Sequence, residues 1–262
     1  MKKYELTTEY KEIGNIKLFR VKALTSFGNV QAGELGGYIE KEDNLSQDGN
    51  AKVRGNARVD GNAWVRGNAL VSDNAQVYSN ALVSGNAWVD GNARIDGNAR
   101  VSGNAWVDGN AEVSGNAWVR GNAQVYSNAK VRGNARVDGN AKVRGNARVD
   151  GNARVSGNAR VDGDAEVSGN AKVDGNAKVR GNAKVRGNED YTTIKGFGRE
   201  CRSTTFFRQK DGSIGVVCGC FYGTLDEFRK KVRETHGESK YAKEYLMIAD
   251  LMEMHFDRSE GE

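Results

Sequence analysis

One six-residue phrase, Gly-Asn-Ala-x-Val-x, runs unbroken from Gly49 to Arg186 and constrains the fold more than any other property of the chain. Its twenty-three copies are nearly uniform. Ala fills every third position, Val every fifth except Ile95, Asn every second except Asp164, and Gly every first except Asp73, Ser79 and Ser127. On an extended backbone Ala and Val, two positions apart, project to one side, and the variable residues project to the other. Gly-Asn then bends the chain, because both residues tolerate a left-handed φ. A period of six does not hold one face of a helix, and this composition disfavours one. The unit is a short strand and a corner, and three units close one turn of a three-sided coil.

This pattern resembles the left-handed parallel β-helix of hexapeptide-repeat proteins, with Val53 in the interior position, Asn56 at the corner and Ala57 as the small residue that follows. The handedness is what the resemblance implies, since parallel crossovers are otherwise right-handed. The predicted fold class is mostly β: a parallel β-helix of about 7–8 coils, roughly 37 Å long at about 4.8 Å per stacked strand. No coil buries its interior alone, so stacking makes the core, and both open ends need covers. Residues 1–48 are read as an N-terminal β cap and lead-in, 49–188 as the rod, and 189–262 as a small C-terminal α+β domain.

Outward side chains three repeats apart stack into ladders. One carries Leu70, Trp88 and Trp106, and another carries Trp64, Leu82 and Trp118. These six form a candidate apolar interface, either stiffening the rod or joining it to a second copy. Of the net charge of +5, the repeats carry the basic excess. Their cations spread over all three faces and alternate with acids, as in Arg144, Asp162 and Arg180, which argues against nucleic acid as a partner. The repeats also contain no histidine and no inserted loop, which argues against the acyl transfer many hexapeptide proteins perform with a histidine base. The phrase QVYSNA recurs at Gln76–Ala81 and Gln124–Ala129. The two copies are not separated by a whole number of coils and so lie on different faces, which points to expansion by whole hexapeptides.

The ends carry ordinary sequence. Gly14-Asn15 reads as a hairpin turn, and Asn44-Leu45 reads as the first imitation of Asn-Ala. In the C-terminal segment Ser203–Gln209 and Ile214–Phe221 read as a hairpin. Thr224-Leu225-Asp226-Glu227 is a capping box opening a helix to His236, and a second helix covers about Lys240–Phe256. Cys218 and Cys220 alternate with Gly219 on the expected second strand, facing one side. With Cys201, Arg202 and His236 they make a second candidate cluster. Cys-x-Cys is poor zinc spacing, so packed or free thiols are expected, with no metal and no cofactor; a nucleophilic cysteine beside His236 is the enzymatic alternative. Arg199, Arg202 and Arg208 read as solvated cations. Gly36-Gly37-Tyr38-Ile39-Glu40, Asp43-Asn44-Leu45-Ser46 and the tail sequence VVCGCFYGTLDEF resemble uncharacterised phage and prophage proteins of Firmicutes type.

An odd set of three cysteines, the lack of an apolar leader and the lack of a long apolar run lead to a cytoplasmic protein of the bacterial host, without membrane contact. The expected role is a non-enzymatic scaffold or binding protein, dimeric or trimeric, with a host protein as a possible partner. Acyl transfer between subunits, or chemistry in the C-terminal domain, is the alternative.

Overall fold

The computed structural model describes residues 1–257. It is a parallel β-helix closed at both ends. Twenty-three two-residue strands, β4 to β26, run from Lys52–Val53 to Lys184–Val185, one in each hexapeptide. Away from the two ends, each pairs with the third strand before and after it, which sorts them into three parallel sheets. We call them the aromatic face (Lys52 to Lys178), the third face (Trp64 to Lys172) and the long face, which continues past Arg58 into the N-terminal cap. Every repeat Ala and Val is buried, so the interior is a column of small and branched apolar side chains. Each buried Val contributes about 1.5–3 kcal/mol.

The corners differ from expectation in one respect. The left-handed residue is the first-position Gly, with φ between 60° and 72° through the rod, and no repeat Asn shares that conformation. Asn instead supplies a ladder. Asn86 Nδ2 donates to Asn104 Oδ1 at 3.0 Å, Asn104 to Asn122 at 3.0 Å, and equivalent bonds run along all three corners. Asp73, Ser79 and Ser127 adopt φ of 56°, 61° and 63° without being Gly, and each stacks below a Gly of the preceding coil. A Cβ on Gly103 would lie 2.9 Å from Gly121 N in addition to the strained φ. Gly103→Ala is therefore expected to destabilise its coils by about 1–2 kcal/mol, whereas Ser127→Gly should leave stability equal or slightly higher. Native-state hydrogen exchange of the flanking Ala and Val amides measures both.

The N-terminal cap is an antiparallel hairpin, β1 (Tyr4–Ile13) and β2 (Ile16–Ala23), turning at Gly14-Asn15 as expected. Strand β3 (Leu35–Ile39) pairs antiparallel with β2 and parallel with Arg58–Val59, so the cap extends the long face. Leu45 takes the place of a repeat Val, bridging to Val65, rather than that of an Ala. The first coil thus has Ile39, Leu45 and Val53 in its interior, and a slightly longer stretch separates its last two members than in the repeats. Asn44 Nδ2 donates to Gly61 O and Ala63 O at 3.1 and 2.8 Å, closing that corner.

Lys3 closes another edge, donating from Nζ to Gly49 O and Ala51 O at 3.3 and 3.0 Å. Burial, opposed by the nearby Asp48, pushes its ammonium down to about 8. The folded chain then holds this proton less tightly than the unfolded chain. Its contribution to stability rises with pH between about 8 and about 10.4, the ordinary lysine value. The melting-temperature difference between the wild type and Lys3→Met is expected to change across that window and to be flat from pH 6 to 7.

The C-terminal cap has four antiparallel strands, β27 (Tyr191–Phe197), β28 (Arg202–Arg208), β29 (Ile214–Cys218) and β30 (Phe221–Thr224). They are followed by α1 (Leu225–His236) and α2 (Lys240–Phe256). Both helices fall where the sequence places them, α1 capped by Thr224 and closed at Gly237. The sheet has two more strands than the expected hairpin. The reading of Ile214–Phe221 as one strand is corrected: Gly219, at φ 60°, turns the chain, and Cys218 pairs with Phe221 across that turn. Cys218 and Cys220 therefore do not face one side of one strand.

This sheet closes the rod. Phe207 and Val217 join the core of the β-helix, while Phe206 and Val216 on the opposite face pack with both helices. Lys178 N donates to Thr205 Oγ1 at 3.0 Å, Lys210 N to Asn182 O at 3.0 Å, and Lys210 Nζ pairs with Glu166 at 2.9 Å. No described helix is long and apolar enough to cross a membrane.

Candidate functional site

The six candidate interface residues fall on two faces with different surroundings. On the aromatic face the parallel register stacks Leu70, Trp88 and Trp106 on successive coils. The two indoles lie 5.8 Å apart between centroids and 25° from parallel, with 44% and 37% of their surface exposed. Trp88 Nε1 donates to Ser72 Oγ at 3.3 Å. Two stacked aromatic rings held open to solvent on a rigid sheet are an uncommon use of apolar surface.

The third face does not repeat this arrangement. Trp118 lies between the guanidiniums of Arg100 and Arg136, at 5.2 and 5.4 Å, with Arg120 at 6.0 Å. Leu82 pairs with Arg100, and Trp64 lies under Arg66 at 4.5 Å. These contacts meet much of the aromatic surface with cations of the chain itself. The apolar patch is accordingly Leu70, Trp88 and Trp106.

Charge on the aromatic face is divided along its length. From Leu70 to Asp108 it carries Asp73, Asp90 and Asp108 and no cation. Asp90 Oδ1 accepts from Ser72 Oγ and Gly91 N at 3.1 and 2.8 Å, and Asp108 Oδ1 accepts from Gly109 N at 2.5 Å. The charge of Asp90 raises the Asp73 carboxyl above its usual range, with a smaller push from Asp108. From Lys142 to Arg180 the same face carries Lys142, Arg144, Arg160, Lys178 and Arg180 against Asp162, with Asp164 at its corner. Arg144 and Arg180 bind Asp162 at 3.0 and 3.6 Å. Lys142 and Arg160 make no ion pair among the described residues. The long face, in contrast, is internally paired, as in Lys130 and Arg132 with Glu112. Counting charges along every third repeat would have exposed this division in the sequence.

The C-terminal cluster is partly assembled. A cavity of about 260 Å³ opens between the sheet and the helices, and Arg202, Cys218, Cys220 and His236 all line it. Cys201 does not; it sits exposed in the turn before β28 with φ 46°. Cys218 Sγ accepts from Thr204 Oγ1 at 3.2 Å and lies 4.0 Å from the Tyr245 hydroxyl. Burial, then the neighbouring Cys218, pushes that hydroxyl up to about 12. His236 packs on the Tyr245 ring at 5.8 Å. The sequence reading missed Lys231, Phe228 and Tyr245, which complete the wall, because their meeting depends on how α1 and α2 cross the sheet. Among the described residues no three His, Cys, Asp or Glu side chains are grouped to hold a metal.

With the rod, its faces and the cap cavity defined, the chain can be set beside known proteins. Residues 76–196 match the family described as bactofilin, polymer-forming cytoskeletal, a stretch within the rod and the start of the C-terminal cap. No curated protein matches the chain. Among solved structures it is similar to the UDP-N-acetylglucosamine acyltransferase of Francisella novicida, with 12% identity over 84% of this chain and 80% of that one and a TM-score of 0.33.

Proposed function

We propose that the protein is a non-enzymatic scaffold whose rods associate side by side through the aromatic face. The exposed, stacked Trp88–Trp106 pair on a continuous parallel sheet carries this reading. The match of residues 76–196 to a polymer-forming cytoskeletal family supports self-association as the work of such a rod. The caps make the sides of the rod, and not its ends, the available surfaces. The Trp88→Ser, Trp106→Ser double variant is expected to sediment as a monomer where the wild type does not. An unchanged mass removes this face from the assembly. The resemblance of the leader and tail to prophage proteins adds a host protein as a partner of the C-terminal cap. A cap-deleted chain that retains every host contact would end that part of the reading.

A second reading concerns the cap cavity, favoured by the convergence of two thiols, Arg202 and His236 on an aromatic floor. It would take a small organic anion or place Cys220 as a nucleophile. Thiol titration of the native protein is expected to show Cys201 and Cys220 reacting quickly and the half-buried Cys218 slowly. A saturable ligand at this site would protect Cys220 and leave Cys201 unchanged.

A further inference from the structure

We infer that two copies of this chain pair antiparallel across the aromatic face, with the aromatic, acidic half of each rod against the basic half of the other. The inference rests on the reading of that face as a self-association surface, and it fixes the partner and its direction.

Two identical faces meet about a two-fold axis lying in the plane between them. With that axis along the rods, equal coils oppose each other. The two columns of the face then exchange places, so the acidic coils of Asp90 and Asp108 oppose their own kind, Lys142 faces the partner's Arg144, and Arg160 alone gains an opposite charge, the partner's Asp162. Like charges in contact are destabilising, and this arrangement opposes the acidic coils to each other and the Lys142 and Lys178 coils to their own copies. With the axis across the rods, the order reverses while each column of side chains stays over its counterpart. An axis placed at Gln124 sets Trp88 against the partner's Arg160, Trp106 against the partner's Lys142 and Asp108 against the partner's Arg144.

Each of these contacts answers something the single chain leaves open. The indoles are stacked on each other with their outer surfaces bare, and Arg160 and Lys142 have no ion-pair partner among the described residues. Cations already meet an indole within this chain at Trp118. The acids of the first half crowd one another, and that repulsion is relieved by cations supplied from outside. The opposed Asp90 and Asp162 form the one like-charged pair in this register, and Asp162 is already held by Arg144 and Arg180. The third face offers no such complement, since its tryptophans already meet cations of their own chain. The long face already pairs Lys130 and Arg132 with Glu112 and Arg148 with Glu166.

The surface from Leu70 to Lys178 covers six coil spacings, about 29 Å in length, on a narrow face. An interface of this size falls at the small end of stable dimers, so the dissociation constant is expected in the micromolar range, of order 10 µM. Added salt should weaken it.

Sedimentation equilibrium of the full chain at 50 and 500 mM salt is the first measurement. A dimer that weakens at least threefold at high salt is expected. Lys142→Glu with Arg160→Glu, and separately Asp90→Lys with Asp108→Lys, should each give monomers at concentrations where the wild type is dimeric. Asp108→Lys and Arg144→Glu, each weakening the pair alone, should dimerise again when combined, because position 108 meets the partner's position 144 in this register. Circular dichroism and melting of each variant show that the rod is intact. Direction is read from spin labels placed singly at Leu70 and Gln124 in a chain with its three cysteines changed to Ser. Antiparallel pairing gives labels about 15 Å apart or less at position 124 and about 30 Å apart at position 70. Equal short distances at both positions would overturn the inference while leaving self-association through this face intact. The same holds if the Trp→Ser variant is monomeric and no charge variant is. A wild type that is monomeric throughout, or one whose mass neither Trp nor charge changes alter, defeats this inference and the reading beneath it.

Discussion

Residues 49–188 expressed without either cap will grow into filaments, whereas the chain cut only after Asn188 will lengthen by a single tail-to-tail joint. The reason lies in the ends of the rod. Inside it, each coil pairs its backbone with the next, Trp88 N to Ala105 O and Trp106 N to Ala123 O at 2.9 Å, and lays its Val on the Val above. The last coil, with Val173, Val179 and Val185, has only the C-terminal cap to cover it, through Phe207 and Val217. At the other end Tyr4, Ile39 and Leu45 cover the coil of Val59 and Val65. Removing both covers leaves two edges of the same geometry and complementary direction, a head and a tail, and such contacts do not close. Removing one leaves a single kind of edge, which can meet only its own copy. Electron microscopy and light scattering separate these outcomes. Uncapped rods that do not lengthen at high concentration would show that the caps do not limit end-to-end growth.

Val107→Asp is expected to cost about 3–5 kcal/mol, the largest effect of any single substitution considered. Val107 is fully buried between Val89 and Val125, and its surroundings are Val and Ala with no polar side chain to meet a carboxylate. An unpaired buried charge has no compensation there. The coils touch only their neighbours, so the damage stays local and the rod opens in its middle while both capped ends persist. Limited proteolysis should cut near this coil and leave two protected fragments. The half-exposed neighbour Trp106→Ser, next in the chain, should cost only about 0.5–1.5 kcal/mol, the worth of its stacking on Trp88. Comparable losses at the two positions would contradict the division between interior and coat.

The rod was legible because its signal is repeated: a period of six with Ala and Val two apart admits one placement of inside and outside, and each copy restates it. The caps were legible in parts. Local chemistry announced the Gly14-Asn15 turn and the Thr224 capping box, and both stand where expected. What failed involved competition between local pattern and long-range packing. Leu45 looked like an Ala equivalent, but the longer stretch before Val53 places it over Val65. Cys218-Gly219-Cys220 looked like an alternating strand until the turn at Gly219 separated the thiols. Strand β27 was missed because its TTIKGF has only one branched aliphatic residue and shows its role only when paired with β28. Of the candidate interface residues, Trp64, Trp88 and Trp106 are exposed, and Trp118 lies among arginines from the coils on either side.

A coil takes three hexapeptides, yet the chain grows or shrinks by one, and that mismatch governs how such a protein changes over time. The two copies of QVYSNA begin at Gln76, on the long face, and at Gln124, on the aromatic face. Gain or loss of one hexapeptide between the Trp pair and residue 188 advances everything downstream by a third of a revolution. The cap cavity would then open toward a different azimuth from the indoles. Gain of three restores the phase and adds only about 4.8 Å of length. Repeat number modulo three therefore acts as an angular setting between the aromatic face and the C-terminal cap, and a lineage that used both surfaces together would change its length only by whole coils.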